Sequence, residues 1–184
     1  MNLPNKKYNI IYADPPWHYG SKSAVNNTLG KTIKPLSNHY QTMTLNELKK
    51  LPIKKITKKD TACFMWVTDS HIDEALEILK SWGFKYKTIA FNWIKTTSKG
   101  NYCKNVAPWT MKSSEICLLG IKGKMTKYKK INNIESLVIA ERTQHSKKPK
   151  EVRNRIQELF GDLPRIELFA RQKTPGWDVW GNEV

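Results

Sequence analysis

The chain has 184 residues, 39% of them hydrophobic and 10% aromatic, with seven tryptophans; this is enough apolar content for one sizeable core in a single domain over residues 1–184, and it excludes a disordered tail. No apolar run approaches the roughly 20 residues of a membrane span, and Met1 to Lys7 lacks the apolar stretch of a secretory leader, so a cytoplasmic protein with no membrane partner is expected. Thirty-two Lys and Arg stand against 16 Asp and Glu, a formal net charge of +16, and such an excess draws polyanions and speeds encounter with them.

In chain order, Tyr8 to Ala13 (YNIIYA) reads as a buried strand stopped by Asp14-Pro15-Pro16-Trp17. His18 to Asn38 turns to Gly, Ser, Asn, Thr and Lys, the composition of a loop. Thr44 to Leu51 is a short predicted helix, and Thr61 to Thr68 (TACFMWVT) a second buried strand. Ser70 is placed to cap a helix over His71 to Trp82, with Ile72, Ala75, Leu76 and Leu79 on its apolar face and Gly83 ending it. Phe84 to Lys95 reads as a strand, and Thr96 to Lys112 as a second polar loop holding Pro108-Trp109. Glu115 to Ile121 and Ser136 to Ala140 are further strands, joined through a Lys-rich connection. Lys150 to Phe160 is an amphipathic helix with Val152, Ile156 and Leu159 inward and Gly161 at its end; Arg165 to Ala170 is the last strand before the tail. Strands alternating with helices predict an α/β sheet covered on both faces.

Several chemistries are set aside by residue type. Cys63, Cys103 and Cys117 show no C-x-x-C spacing and read as reduced thiols. The four histidines are scattered, none at ligand spacing from a cysteine, so no metal site is expected. Lysines 122, 124, 127, 129 and 130, and the group Lys147, Lys148, Lys150, Arg153 and Arg155, fall at loop and helix-start positions where a phosphate backbone could run.

Asp14-Pro15-Pro16-Trp17 sits where an α/β sheet puts its chemistry, just beyond the carboxyl end of a strand. A residue before proline is held extended, so Asp14 points away from any helix. Prolines carry no N–H, which leaves the Asp14 carboxylate and a proline carbonyl as a cluster of acceptors. An exocyclic adenine amine supplies two N–H donors to match, and Trp17 would stack on the base, a contact of about 1–3 kcal/mol.

YADPPW, followed by EICLLGIKG (115–123), VIAERTQHSKKPKEV (138–152), RIELFAR (165–171) and GWDVWGNEV (176–184), resembles the MT-A70 family of adenine-N6 methyltransferases, in particular its short bacterial and phage-type members. The resemblance implies a Rossmann-like S-adenosylmethionine-dependent methyltransferase fold in permuted order, with the catalytic motif first and the cofactor strand late, and S-adenosylmethionine as the only cofactor. It places Asp14, Pro15, Pro16 and Trp17 in the catalytic motif, with Asp14 also touching the cofactor. Lys148 would hold the methionine carboxylate, and Phe169, Arg171, Asn182 and Glu183 would line the adenosine pocket. His145 takes a supporting place beside the substrate.

These readings imply methyl transfer to adenine N6 in nucleic acid, DNA before RNA, with an inactive nucleic-acid-binding subunit of the same fold as the rival from another class. A duplex target must be flipped out of the stack, and the loops Tyr19 to Asn38 and Thr96 to Lys112 are expected to close on it. Trp109 is assigned either to a second stacking surface or to the core, and Lys95 to the surface, with phosphate as its only other partner. A homodimer would help so small an enzyme grip a duplex.

Overall fold

The computed structural model describes residues 2–18, 42–107, 109–143 and 147–184. Its strands are β1 (Tyr8–Ala13), β2 (Thr57–Val67), β3 (Lys85–Thr96), β4 (Ser114–Lys122), β5 (Leu137–Glu141), β6 (Arg165–Leu168) and β7 (Asp178–Trp180). Its helices are α1 (Leu45–Lys50), α2 (Ile72–Ser81) and α3 (Lys150–Phe160). Among the described residues the seven strands form one sheet in the order β5-β3-β4-β2-β1-β6-β7. β1 is parallel to β2 on one side and to β6 on the other; β6 is parallel to β7, and β3 to β5. β4 alone runs antiparallel to its neighbours, β2 and β3.

All six side chains of β1 are buried, as a strand covered on both faces requires. Ile11 and Ala13 point into one core with Cys63, Met65, Val67, Ile166 and Leu168, closed by Leu48 of α1 and Ala75, Ile78 and Leu79 of α2. Ile10 and Tyr12 point into the other with Ala62, Phe64 and Trp66, closed by Val152, Ile156 and Phe160 of α3. The two-residue period of the strand thus divides one apolar run between two layers. This is the Rossmann-like sheet, with the strand that leads into Asp14 early and β6 late. The chain leaves β1 toward β2 and returns on the opposite flank as β6, so β1 stands at the switch point where a crevice opens beyond the strand ends.

Most strands lie within one residue of the pattern-based reading, but β6 ends at Leu168 rather than Ala170, and three further differences have a physical reason. β2 begins at Thr57 rather than Thr61, because the polar run Thr57 to Asp60 continues the sheet, and Asn9 Nδ2 donates to Asp60 O at 2.9 Å. His71, not Ser70, takes the position before α2 and makes no side-chain cap; a 3-10 turn over Asp69–His71 precedes the helix and the Ser70 hydroxyl lies 2.9 Å from His71 Nδ1. Its buried face is Ala75, Ile78 and Leu79, while Ile72 and Leu76 remain exposed. Buried Trp82, whose indole donates to Leu48 O at 2.8 Å, turns the helix that way. β7 lies in a segment with no strand signal, being three residues long and formed only by its non-local pairing with β6. α3 has the expected bounds, with Gly161 at φ 70° ending it. Among the described residues no helix is long and apolar enough to cross a membrane.

Candidate active site at the carboxyl edge of the sheet

Ala13 ends β1, and the two prolines after Asp14 prevent the strand from continuing. The turn is tight: Trp17 N–H donates to Pro15 O at 2.9 Å, and Met43 N–H donates to Pro16 O at 2.9 Å. Each proline carbonyl therefore has one lone pair in use and a second still able to accept. Trp17 corrects the stacking expectation. Its ring is only 4% exposed and packs 5.4 Å from the His71 ring, making it a buried wall of the site rather than an open platform. His71 is itself buried, with Nδ1 3.0 Å from Thr68 Oγ1.

Four charges alternate beside this turn. Lys148 Nζ lies 2.7 Å from Asp14 Oδ2 and 3.1 Å from Glu115 Oε1, and Lys95 Nζ lies 2.7 Å from Glu115 Oε2. Their side chains are 6% (Lys148), 10% (Glu115), 17% (Lys95) and 24% (Asp14) exposed, so Asp14 is the member open to a ligand. The topology explains the gathering. Asp14 and Lys95 sit at the carboxyl ends of β1 and β3, whereas Glu115 sits near the start of β4, which reaches the same edge because β4 runs the other way. Lys148 arrives in the segment before α3 and also stands 5.6 Å from the Trp66 ring. Buried charges of this kind persist only when paired.

The electrostatics follow from burial and these partners. Burial pushes the Asp14 carboxyl above the usual carboxylate range; Lys148 pulls it down and Glu115 adds to the rise. For Glu115 burial acts in the same upward sense, but the ammonium groups of Lys148 and Lys95 outweigh it and hold the carboxyl low. Burial works against the Lys148 cation, yet Asp14 and Glu115 together raise its pKa and keep it protonated.

The second half of the site is built by the tail. Ala13 pairs with Leu168, so Asp14 and Phe169 are the next residues on adjacent parallel strands. Phe169 has φ 61°, the left-handed region that a bulky residue avoids at a cost of about 1–3 kcal/mol, and such strain concentrates at functional sites. Its ring stands 5.5 Å from that of Trp180 at 70°. Ala170 N–H donates to Trp180 O at 3.0 Å, and Arg171 Nε lies 3.7 Å from Glu183 Oε1. Gly181 makes this approach possible, since a Cβ there would fall 2.3 Å from Ala170 O. Phe169, Arg171, Asn182 and Glu183 therefore share one corner beside Asp14. A carboxylate, a buried ammonium, an aromatic pair and an acidic tail residue form a donor set that fits a cofactor with a sulfonium, a carboxylate, a ribose and an adenine.

Not every expected residue joins them. His145, Pro108 and the loop Tyr19 to Asn38 lie outside the described residues. Trp109 is 95% exposed, which removes the core assignment. Lys95 is a member of the buried charge chain, not a surface or phosphate-contacting lysine. The basic clusters are partly neutralised by ion pairs: buried Arg153 pairs with Glu167 at 3.1 Å, and exposed Lys127 with Asp60 at 2.7 Å. Glu115 and His71 went unassigned in the sequence. A signal for Glu115 existed, because it alternates with Cys117 and Leu119 and so falls on the inward face of its strand.

The sequence profile of the MT-A70 family matches residues 8–183. The type II methyltransferase M.MunI of a Mycoplasma species is 38% identical over 192 residues, covering 99% of this chain and 80% of that protein. The N(6)-adenosine-methyltransferase subunit METTL3 of Danio rerio is 28% identical over 182 residues, covering 97% of this chain and 28% of that protein. The catalytic subunit METTL3 of Homo sapiens is 26% identical with the same two coverages. The chain spans most of the length of the Mycoplasma relative and 28% of each of these two METTL3 proteins.

Proposed function

The chain belongs to the MT-A70 family, and on that premise we propose that it transfers the methyl group of S-adenosylmethionine to the N6 amine of adenine in DNA. The observation that carries the reading is Asp14, partly open at the end of β1, backed by buried Lys148 and in register beside strained Phe169. DNA is favoured over RNA because identity and coverage are both greater with a type II methyltransferase than with the N(6)-adenosine-methyltransferases.

When bound, the cofactor supplies a methyl group on a sulfonium, and the chain's own residues align the acceptor nitrogen and hold the charge that develops on it. Asp14 accepts one N–H of the adenine amine; with Oδ2 set against Lys148, Oδ1 is the natural acceptor. A Pro15 or Pro16 carbonyl accepts the other N–H through its second lone pair. Together they orient the nitrogen lone pair away from the ring plane. As N6 becomes positive, the carboxylate attracts it more strongly than the neutral amine, which is a differential that lowers the barrier, and the surplus N–H proton then passes by way of Asp14 to solvent, leaving neutral N6-methyladenine. Lys148 keeps Asp14 ionised and holds the methionine carboxylate, while Phe169, Arg171, Asn182 and Glu183 hold the adenosine. Buried Trp17 and His71 form the wall that keeps the Asp14 turn in place.

Transfer of label from S-adenosylmethionine to duplex DNA, single-stranded DNA and RNA tests this directly, with Asp14→Ala as control. The expected product is N6-methyladenine in DNA, absent with the variant. Label on another base, or undiminished label with Asp14→Ala, would overturn the reading; cofactor binding without transfer to any polymer would favour a nucleic-acid-binding subunit. Homodimer formation belongs to the same proposal, and sedimentation with and without DNA measures it.

A further inference from the structure

The chain leaves the carboxyl end of β3 and returns to β4 through an excursion described at residues 97–107 and 109–112. Cys103 N–H donates to Lys95 O at 2.8 Å, and Asn105 and Lys112 exchange both backbone hydrogen bonds, at 2.9 and 2.8 Å. The stem is fastened to the site. Lys112 Nζ pairs with Asp69 at 2.9 Å, just past β2, and Glu115 of the charge chain follows three residues later. Beyond the Asn105–Lys112 bridge three large apolar side chains face solvent together with Thr110: Val106 is 58% exposed, Trp109 95% and Met111 53%.

Bulky apolar groups clustered in solvent mark a surface that something covers. The surrounding charge indicates what. Of the four lysines in residues 95–112, Lys95 and Lys112 are held by Glu115 and Asp69, while Lys99 and Lys104 are exposed on a segment with no carboxylate of its own, and Arg142 adds a guanidinium by donating to Asn105 Oδ1 at 3.0 Å. An apolar tip flanked by Lys99, Lys104 and Arg142 complements a ligand with an aromatic interior and anionic rails, which describes a nucleic-acid duplex. The excursion and Asp14 also hang from carboxyl ends of strands that point the same way, so one duplex laid on this edge meets both.

We propose that the Trp109 tip is a wedge that enters the duplex and fills the gap left when the target adenine swings out toward Asp14. This rests on the reading of the chain as a DNA adenine methyltransferase. A base that leaves the stack abandons its partner and both stacked neighbours, and an inserted apolar side chain replaces the lost contact. With the indole almost wholly exposed, both of its faces are open, as a ring held between two base pairs requires. Trp17, being buried, cannot take that place.

Once the wild-type methylation site is mapped on plasmid DNA, Trp109→Ala and Trp109→Phe are assayed on three substrates of that sequence. These are a matched duplex, the same duplex with an abasic position opposite the target, and the single strand. Trp109→Ala is expected to lower kcat/KM on the matched duplex by about tenfold or more, and by less than about threefold on the single strand. The abasic duplex should restore most of the loss, and Trp109→Phe should retain most of the activity. With 2-aminopurine at the target position, wild-type protein should raise the fluorescence and Trp109→Ala should not. Equal losses on duplex and single strand would make Trp109 a general stacking surface and overturn the wedge. No loss on any substrate would assign the tip to a protein partner and overturn it equally. Failure of the wild-type protein to methylate any DNA is a separate outcome, seen before a variant is made, and it overturns the DNA reading itself.

Discussion

Replacing Gly181 with alanine tests the corner that joins the tail to the end of β6. The new Cβ would lie 2.3 Å from Ala170 O, 2.7 Å from Ala170 N and 3.0 Å from the Phe169 carbonyl carbon. All three are backbone atoms, so no rotamer relieves the contact, and restoring a separation of about 3.5 Å moves two strands apart by roughly 1 Å. The 3.0 Å bond from Ala170 N–H to Trp180 O is then stretched beyond useful range. Overpacking costs about 1–3 kcal/mol and the lost hydrogen bond about 0.5–1.5 kcal/mol, so Gly181→Ala destabilises by roughly 2–4 kcal/mol. At about 2–4 °C per kcal/mol for a chain of this size, Tm falls by about 5–15 °C. Asn182 and Glu183 move away from Phe169 and Arg171, so affinity for S-adenosylmethionine, measured by calorimetry at a temperature where the variant is folded, drops by about tenfold or more. Gly100→Ala is the control: φ is +78° but nothing lies within 4 Å of its Cβ, which leaves only backbone strain of about 1 kcal/mol. Unchanged Tm and affinity in Gly181→Ala, or equal effects of the two variants, would refute the assignment of this corner.

Asp14→Asn keeps the shape of the side chain and removes its charge, so kcat should fall by about 10²–10³-fold; methyl transfer within tenfold of wild type would remove Asp14 from the chemistry. The pH dependence follows from its surroundings. Burial raises the Asp14 pKa and Lys148 opposes the rise, and Asp14 must be ionised to accept the amine, so activity is lost as pH falls through the raised value. Lys148→Met removes the opposing pull and should move the acid limb of kcat/KM upward by about 1–3 pH units; a limb that stays or moves down contradicts the ion pair. Glu115→Gln should destabilise the fold by about 1.5–3 kcal/mol at neutral pH, because partly exposed Lys95 loses its carboxylate and buried Lys148 keeps only Asp14. The Glu115 pKa is depressed in the folded state, so its contribution is present above its unfolded pKa and fades as pH falls through the folded one; denaturation midpoints for variant and wild type should converge in acid, and a constant gap would refute this. Cys63 and Cys117 are buried, with thiols pushed up by desolvation, so labelling of both by a thiol reagent should require unfolding; rapid labelling of the native protein would displace them from the core.

Much of the site was legible because its parts are contiguous in the chain. Asp14-Pro15-Pro16-Trp17 declares itself by a strand that stops at two prolines, whereas Lys148, Phe169 and Glu183 enter only through the resemblance of their blocks to the family. The helix α3 was readable to its bounds, since its apolar period and terminal glycine are local signals. What the sequence did not reveal depends on which strand ends meet. β7 exists only through its pairing with β6, and residues 57–60 are strand only because β1 lies beside them. The burial of Trp17 against His71 and the link from Lys95 through Glu115 and Lys148 to Asp14 join residues up to 134 positions apart. By itself, then, the sequence determined the chemistry on offer: a carboxylate after a buried strand, a lysine before a helix and an aromatic at a strand end. The tertiary structure decided which charges neutralise one another and which aromatic faces solvent. It did so because strand direction is settled by long-range pairing and by the burial of both sheet faces, and one reversed strand was enough to bring Glu115 to the edge where Asp14 waits.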